Sequence, residues 1–72
     1  MTSNQRRAVR RAVEVLTDYE FDNGSLLVIC NVQHPNSAQL AHAAVRLAQL
    51  RQGCTWSTPV VSDATAYAKS LL

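Results

Sequence analysis

The sequence is poor in the residues that hold many very small proteins together by disulfide or metal bonds. Its 72 residues include only two cysteines, Cys30 and Cys54, which is too few for a disulfide scaffold. Besides these cysteines, only His34 and His42 could bind a soft metal ion. The spacing of the four residues matches none of the paired patterns of structural zinc sites. We therefore expect neither a disulfide framework nor a metal site.

Long apolar runs and glycine-rich loops are also missing. The longest apolar run, residues 26–30, is far shorter than the roughly 20 residues of a membrane span. The polar start does not resemble a signal peptide. Two glycines in the chain cannot form a phosphate-binding loop, and no nucleophile–base pair can be assembled. We expect a cytoplasmic protein with no membrane association, no cofactor and no enzymatic activity.

The chain has little material for a large core. It contains one tryptophan, two tyrosines and one phenylalanine, although 47% of its residues are apolar. This composition predicts a single small globular domain over residues 1–72, in which Trp56 fills the core and the polar residues 1–5 are disordered. Because so short a chain buries only about 60% of its unfolded surface, a homodimer or docking on a larger protein would supply further stability.

Helical periodicity is clear in three segments. Residues 4–17 form the first predicted helix, which Ser3 or Asn4 caps. The second begins after a cap at Asn36 or Ser37 and ends at Gln52, with Gly53 as its stop signal. The third follows a cap at Ser62 or Asp63. Two apolar faces are predicted to be buried, comprising Val9, Ala12, Val13 and Leu16 in the first helix and Leu40, Ala43, Ala44, Leu47 and Leu50 in the second.

Two other segments have strand-like composition. The Asn23-Gly24 pair is typical of a two-residue hairpin turn, and residues 25–32 are rich in strand formers. Residues 55–58 read as a short strand that Pro59 ends. We therefore predict an α+β fold in the order helix, β-hairpin over residues 17–32, helix, short strand, helix. The alternative is an all-α bundle of three to four helices, in which Asn23-Gly24 ends a long first helix.

Four of the seven basic residues lie close together near the start of the chain. This arginine face consists of Arg6, Arg7, Arg10 and Arg11, opposite the apolar face of the same helix. The positive end of a helix dipole favours acidic residues, so helix stability does not explain these arginines. Guanidinium groups suit phosphate or carboxylate partners, and we therefore predict that this face binds a partner.

A second polar face lies along the predicted central helix. It contains Gln39 together with His42, Arg46 and Gln49, and the last three are candidates to extend the arginine face. The alternative is an ordinary solvent-facing side of a helix.

Charge distribution favours a protein partner over nucleic acid. The net charge is only +2, and acidic residues follow the arginines over residues 14–22, where they would repel a long phosphate backbone. We expect a small non-enzymatic protein-binding module that docks on a larger protein with an acidic surface. Its size suggests an inhibitor or regulator of the kind that phages and other mobile elements encode. A nucleic-acid-binding protein that uses the arginine face is the alternative function.

Overall fold

A computed structural model describes residues 1–18 and 36–72. These residues form three α-helices, α1 (Ser3–Asp18), α2 (Ser37–Gln52) and α3 (Thr58–Leu71). Each helix packs against the other two. The described part of the chain contains no strand, and none of its helices is long and apolar enough to cross a membrane.

The predicted α+β fold is therefore wrong, and the all-α alternative is closer to the structure. Most of the predicted hairpin lies in residues 19–35, outside the described residues, but Thr17 and Asp18 are helical. The predicted strand at residues 55–58 is replaced by the approach to α3, which begins at Thr58. Pro59 lies in the first turn of α3, where the missing proline N–H costs no hydrogen bond and its fixed φ suits the helix.

The first helix begins with a reciprocal pair of hydrogen bonds. The backbone N–H of Gln5 donates to the Thr2 hydroxyl at 3.1 Å, and the backbone N–H of Thr2 donates to Gln5 Oε1 at 2.8 Å. This arrangement is a capping box, and it assigns the cap to Thr2 instead of the predicted Ser3 or Asn4. Residues 1–5, which the composition predicts to be disordered, include the first turn of α1.

Both ends of α2 are the predicted ones. The Asn36 side chain accepts from the Gln39 N–H and the Gln39 side chain accepts from the Asn36 N–H, each at 2.9 Å. At the other end Gly53 has φ 68°. The N–H groups of Gly53 and Cys54 donate to the carbonyls of Leu50 and Gln49, which is the Schellman pattern.

The third helix begins earlier than the sequence predicts. The sequence predicts a cap at Ser62 or Asp63, whereas Ser57 occupies the cap position and its side chain makes no capping hydrogen bond. Pro59 and the backbone hydrogen bond from Val61 to Ser57 at 2.9 Å define the first turn instead.

The core consists mostly of small side chains between the three helices. Leu16, Val9 and Val45 are the largest fully buried side chains, and Trp56 is also buried, as predicted. The predicted face of α1 is confirmed, but Leu50 is 70% exposed. Ala48 lies on the core face of α2, and at 100° per residue Leu50 points about 200° away from it. The buried apolar residues are Val9, Ala12, Val13, Leu16, Ala41, Ala43, Ala44, Val45, Ala48, Trp56, Ala64 and Ala68.

Candidate anion-binding groove

The arginine face is exposed, as the sequence predicts, but its four members divide into two pairs. Arg10 Nη2 donates a hydrogen bond to the Tyr67 hydroxyl of α3 at 3.0 Å. The Arg6 guanidinium lies over the ring of the same tyrosine, with Cζ 5.7 Å from the ring centroid, within the range of a cation–π contact. Donation of this hydrogen bond to the Tyr67 hydroxyl raises the pKa of Arg10. Arg6 and Arg10 therefore contact α3.

The other pair, Arg7 and Arg11, lines a groove between the start of α1 and the end of α2. The groove has a volume of about 360 Å³, and Arg51 in the last turn of α2 is a third arginine that lines it. The arginine groove is lined by Asn4, Arg7, Ala8, Arg11, Arg51 and Gln52. Residues from two helices thus bring three positive charges to one concave surface.

A short chain of hydrogen bonds fixes the end of this groove. Gln52 Nε2 donates to the Asn4 carbonyl at 3.3 Å, and Gln52 Oε1 accepts from the Trp56 indole N–H at 3.2 Å. Because Trp56 is buried in the core, Gln52 connects the groove to the interior of the protein. The amide of Gln52 is thereby engaged at both its nitrogen and its oxygen.

One ion pair lies at the edge of the groove. Arg11 Nη1 is 3.5 Å from Glu14 Oε2, and both side chains are more than half exposed. Such exposed pairs contribute about 0–1 kcal/mol. Within residues 1–17 and 36–72, neither Arg7 nor Arg51 forms a salt bridge.

The second predicted face does not join the arginine groove. Arg46 and Gln49 line a separate pocket of about 300 Å³ with Leu50, Gly53, Cys54 and Thr55. Gln49 Oε1 accepts from the Trp56 backbone N–H at 3.0 Å, so this side chain helps to hold the loop after α2. His42 is exposed on α2 and lines neither the groove nor this pocket.

The sequence does not single out three of the groove residues as site residues, namely Asn4, Arg51 and Gln52. Arg51 lies three positions after Ala48 and continues the core face of α2 beyond its last buried residue. That periodicity was visible in the sequence. The periodicity alone does not place Arg51 in a site, because that also requires the end of α2 to meet the start of α1.

The charged residues that line the groove are three arginines, which are suited to anion recognition. Guanidinium groups donate planar, bidentate hydrogen bonds to carboxylate or phosphate oxygens. The lining contains no carboxylate, imidazole or thiol among the described residues, and these residues include no cluster of three potential metal ligands. Cys54 is an exposed free thiol on the other pocket, while Cys30 and His34 lie outside the described residues.

Comparison with known proteins gives no further assignment. No family model, curated protein or solved structure matches the chain.

Proposed function

We propose that the protein is a small non-enzymatic binding module that docks on an acidic surface of a larger protein through its arginine groove. The observation that carries this proposal is the convergence of Arg7, Arg11 and Arg51 from two helices on one groove of about 360 Å³. Like charges that converge repel one another. An anionic partner relieves that repulsion.

Local stability explains only one of these three arginines. Arg51 lies in the last turn of α2, where a basic side chain interacts favourably with the helix dipole. Arg7 lies in the N-terminal half of α1, whose first turn has no acidic residue, and Arg11 lies at the middle of the helix. Only Arg11 has a carboxylate partner among the described residues, and that contact is largely exposed.

The surroundings of the groove favour a protein partner over nucleic acid. Glu14 follows Arg11 on α1 and is 57% exposed, so a phosphate backbone laid along this helix would meet a negative charge within one turn. Arg6 and Arg10 are held against Tyr67, and the net charge is only +2. An acidic protein surface can place a few carboxylates in the groove without extending past Glu14.

Charge reversal with a matched control tests the proposal. The groove variant carries Arg7→Glu and Arg51→Glu, and the control carries Arg46→Glu and Lys69→Glu. All four side chains are exposed, so both variants should fold, which circular dichroism and thermal unfolding can verify. They have the same net charge, so only the position of the reversal differs.

The assay is crosslinked capture from the native host, followed by reconstitution with the purified partner. The groove variant should lose affinity for the partner by at least about tenfold, because charge pairs across the interface are broken. The control should bind like the wild type. Equal binding by the two variants would contradict the proposal. So would tight binding to short DNA or RNA at about 0.15 M salt with a steep salt dependence, because that result would indicate nucleic acid as the target.

A further inference from the structure

We infer that the arginine groove recognises a pair of carboxylates one helical turn apart on a helix of the partner protein. The inference rests on the proposed function and specifies the chemistry of the partner.

The local charge corresponds to two carboxylates. Three arginines line the groove, and Glu14 offsets one of them through Arg11. The remaining excess is two positive charges among the described residues. A ligand with two carboxylates neutralises this excess, whereas a longer polyanion brings charge beyond the groove toward Glu14.

The Arg11–Glu14 contact can be exchanged at little cost. Its 3.5 Å separation and the exposure of both side chains, 68% and 57%, place it among weak surface pairs. A partner carboxylate can therefore accept hydrogen bonds from the Arg11 guanidinium, whether or not Glu14 remains paired with it. Arg11 thus remains available as a donor to the partner.

The spacing of the arginines selects the spacing of the carboxylates. Arg7 and Arg11 are four residues apart on α1, so their Cβ atoms are about 5–6 Å apart. Carboxylates four residues apart on a partner helix have the same spacing, whereas neighbours on one face of a strand are about 6.6 Å apart. Ala8 adds only a methyl group to the lining. Arg51 approaches from α2 and can contact either carboxylate.

The groove is held in shape before any partner arrives. Gln52 connects the Asn4 carbonyl of α1 to the buried Trp56. The Schellman hydrogen bonds after Leu50 also fix the last turn that carries Arg51. Because little backbone ordering is needed on binding, even a short peptide should show the preference for spacing.

Two peptides of identical composition test the inference. Both are alanine-rich helices with two glutamates, placed four residues apart in the first and two residues apart, on different faces, in the second. Their helicity is matched by circular dichroism. Binding is followed by NMR through the Nε–Hε signals of the arginines, which report weak association directly.

The one-turn peptide should shift the signals of Arg7, Arg11 and Arg51 and bind about fivefold more tightly than the second peptide, the upper range for one exposed ion pair. Arg7→Glu should remove this preference, because it removes one of the two guanidinium groups whose spacing selects the peptide, and Arg46→Glu should leave it unchanged. Equal binding of the two peptides, or no shift of the groove signals, would overturn the inference about spacing. Tighter binding of a dinucleotide with the same charge would also overturn it, by favouring phosphate.

The two proposals can fail independently. If the captured partner still depends on Arg7 and Arg51 while the peptides bind equally, the docking function stands and the carboxylate pair is refuted. If the spacing preference is observed but the groove variant still binds the captured partner, the groove recognises such pairs and is not the docking site for that protein.

Discussion

Replacement of Gly53 by alanine isolates the backbone strain at the end of α2. Gly53 has φ +68°, and a Cβ atom built there would meet nothing within 4 Å. The cost of Gly53→Ala is therefore the left-handed conformation alone, about 1 kcal/mol. At about 2.1 cal/mol/K of unfolding entropy per residue, the 72 residues give about 150 cal/mol/K, so Tm should fall by about 7 °C.

Gly53→Asn provides the matched comparison, because asparagine tolerates the left-handed region better than alanine. Its loss of Tm should be about half that of Gly53→Ala. Calorimetric unfolding of the three proteins gives the result directly. An unchanged Tm in the alanine variant would show that α2 does not end in this conformation. A loss of several kcal/mol would show a steric clash that the open space around Gly53 excludes.

The remaining predictions concern the core, a cap and the tyrosine contact. Leu16→Ala should lower the free energy of unfolding by about 2–5 kcal/mol because Leu16 is 1% exposed, whereas Leu50→Ala should change it by less than about 0.5 kcal/mol; denaturant titration checks both, and similar losses would contradict the assigned burial. Asn36→Ala removes the acceptor for the Gln39 N–H and should cost about 1 kcal/mol in the same titration. Tyr67→Phe keeps the ring beneath Arg6 and removes the acceptor for Arg10, so the Arg10 side-chain protons should exchange faster with solvent by NMR while those of Arg7 do not change.

The helices that the sequence predicts well are those with local signals at their ends. For α2, Asn36 and Gln39 form the cap and Gly53 forms the stop within the segment itself. The sequence of α3 gives a conflicting signal, because the threonines before Pro59 have high β-propensity and a proline ends strands as readily as it begins helices. Packing of α3 against α1 and α2 resolves that conflict. The local sequence pattern does not show which helices α3 will contact.

The candidate site also combines features that the sequence predicts with contacts that depend on packing between helices. Exposure of the arginines follows from the 3.6-residue period of α1, and the sequence predicts it correctly. The contacts of Arg10 and Arg6 with Tyr67 join residues that are 57 and 61 positions apart. Arg51 lines the groove only because the end of α2 meets the start of α1. Such contacts depend on how the helices are arranged, which the period of a single helix does not determine.

The hydrogen bond between Gln52 and the indole of Trp56 gives the protein an internal optical reporter. Trp56 is the sole tryptophan, and its N–H donates to the side chain whose other end contacts Asn4 at the groove. A ligand that displaces Gln52 removes that acceptor and changes the polarity around the indole, and the fluorescence emission of tryptophan responds to both. Displacement of Gln52 by a ligand can therefore be followed in the unlabelled wild-type protein, with no dye near the arginines.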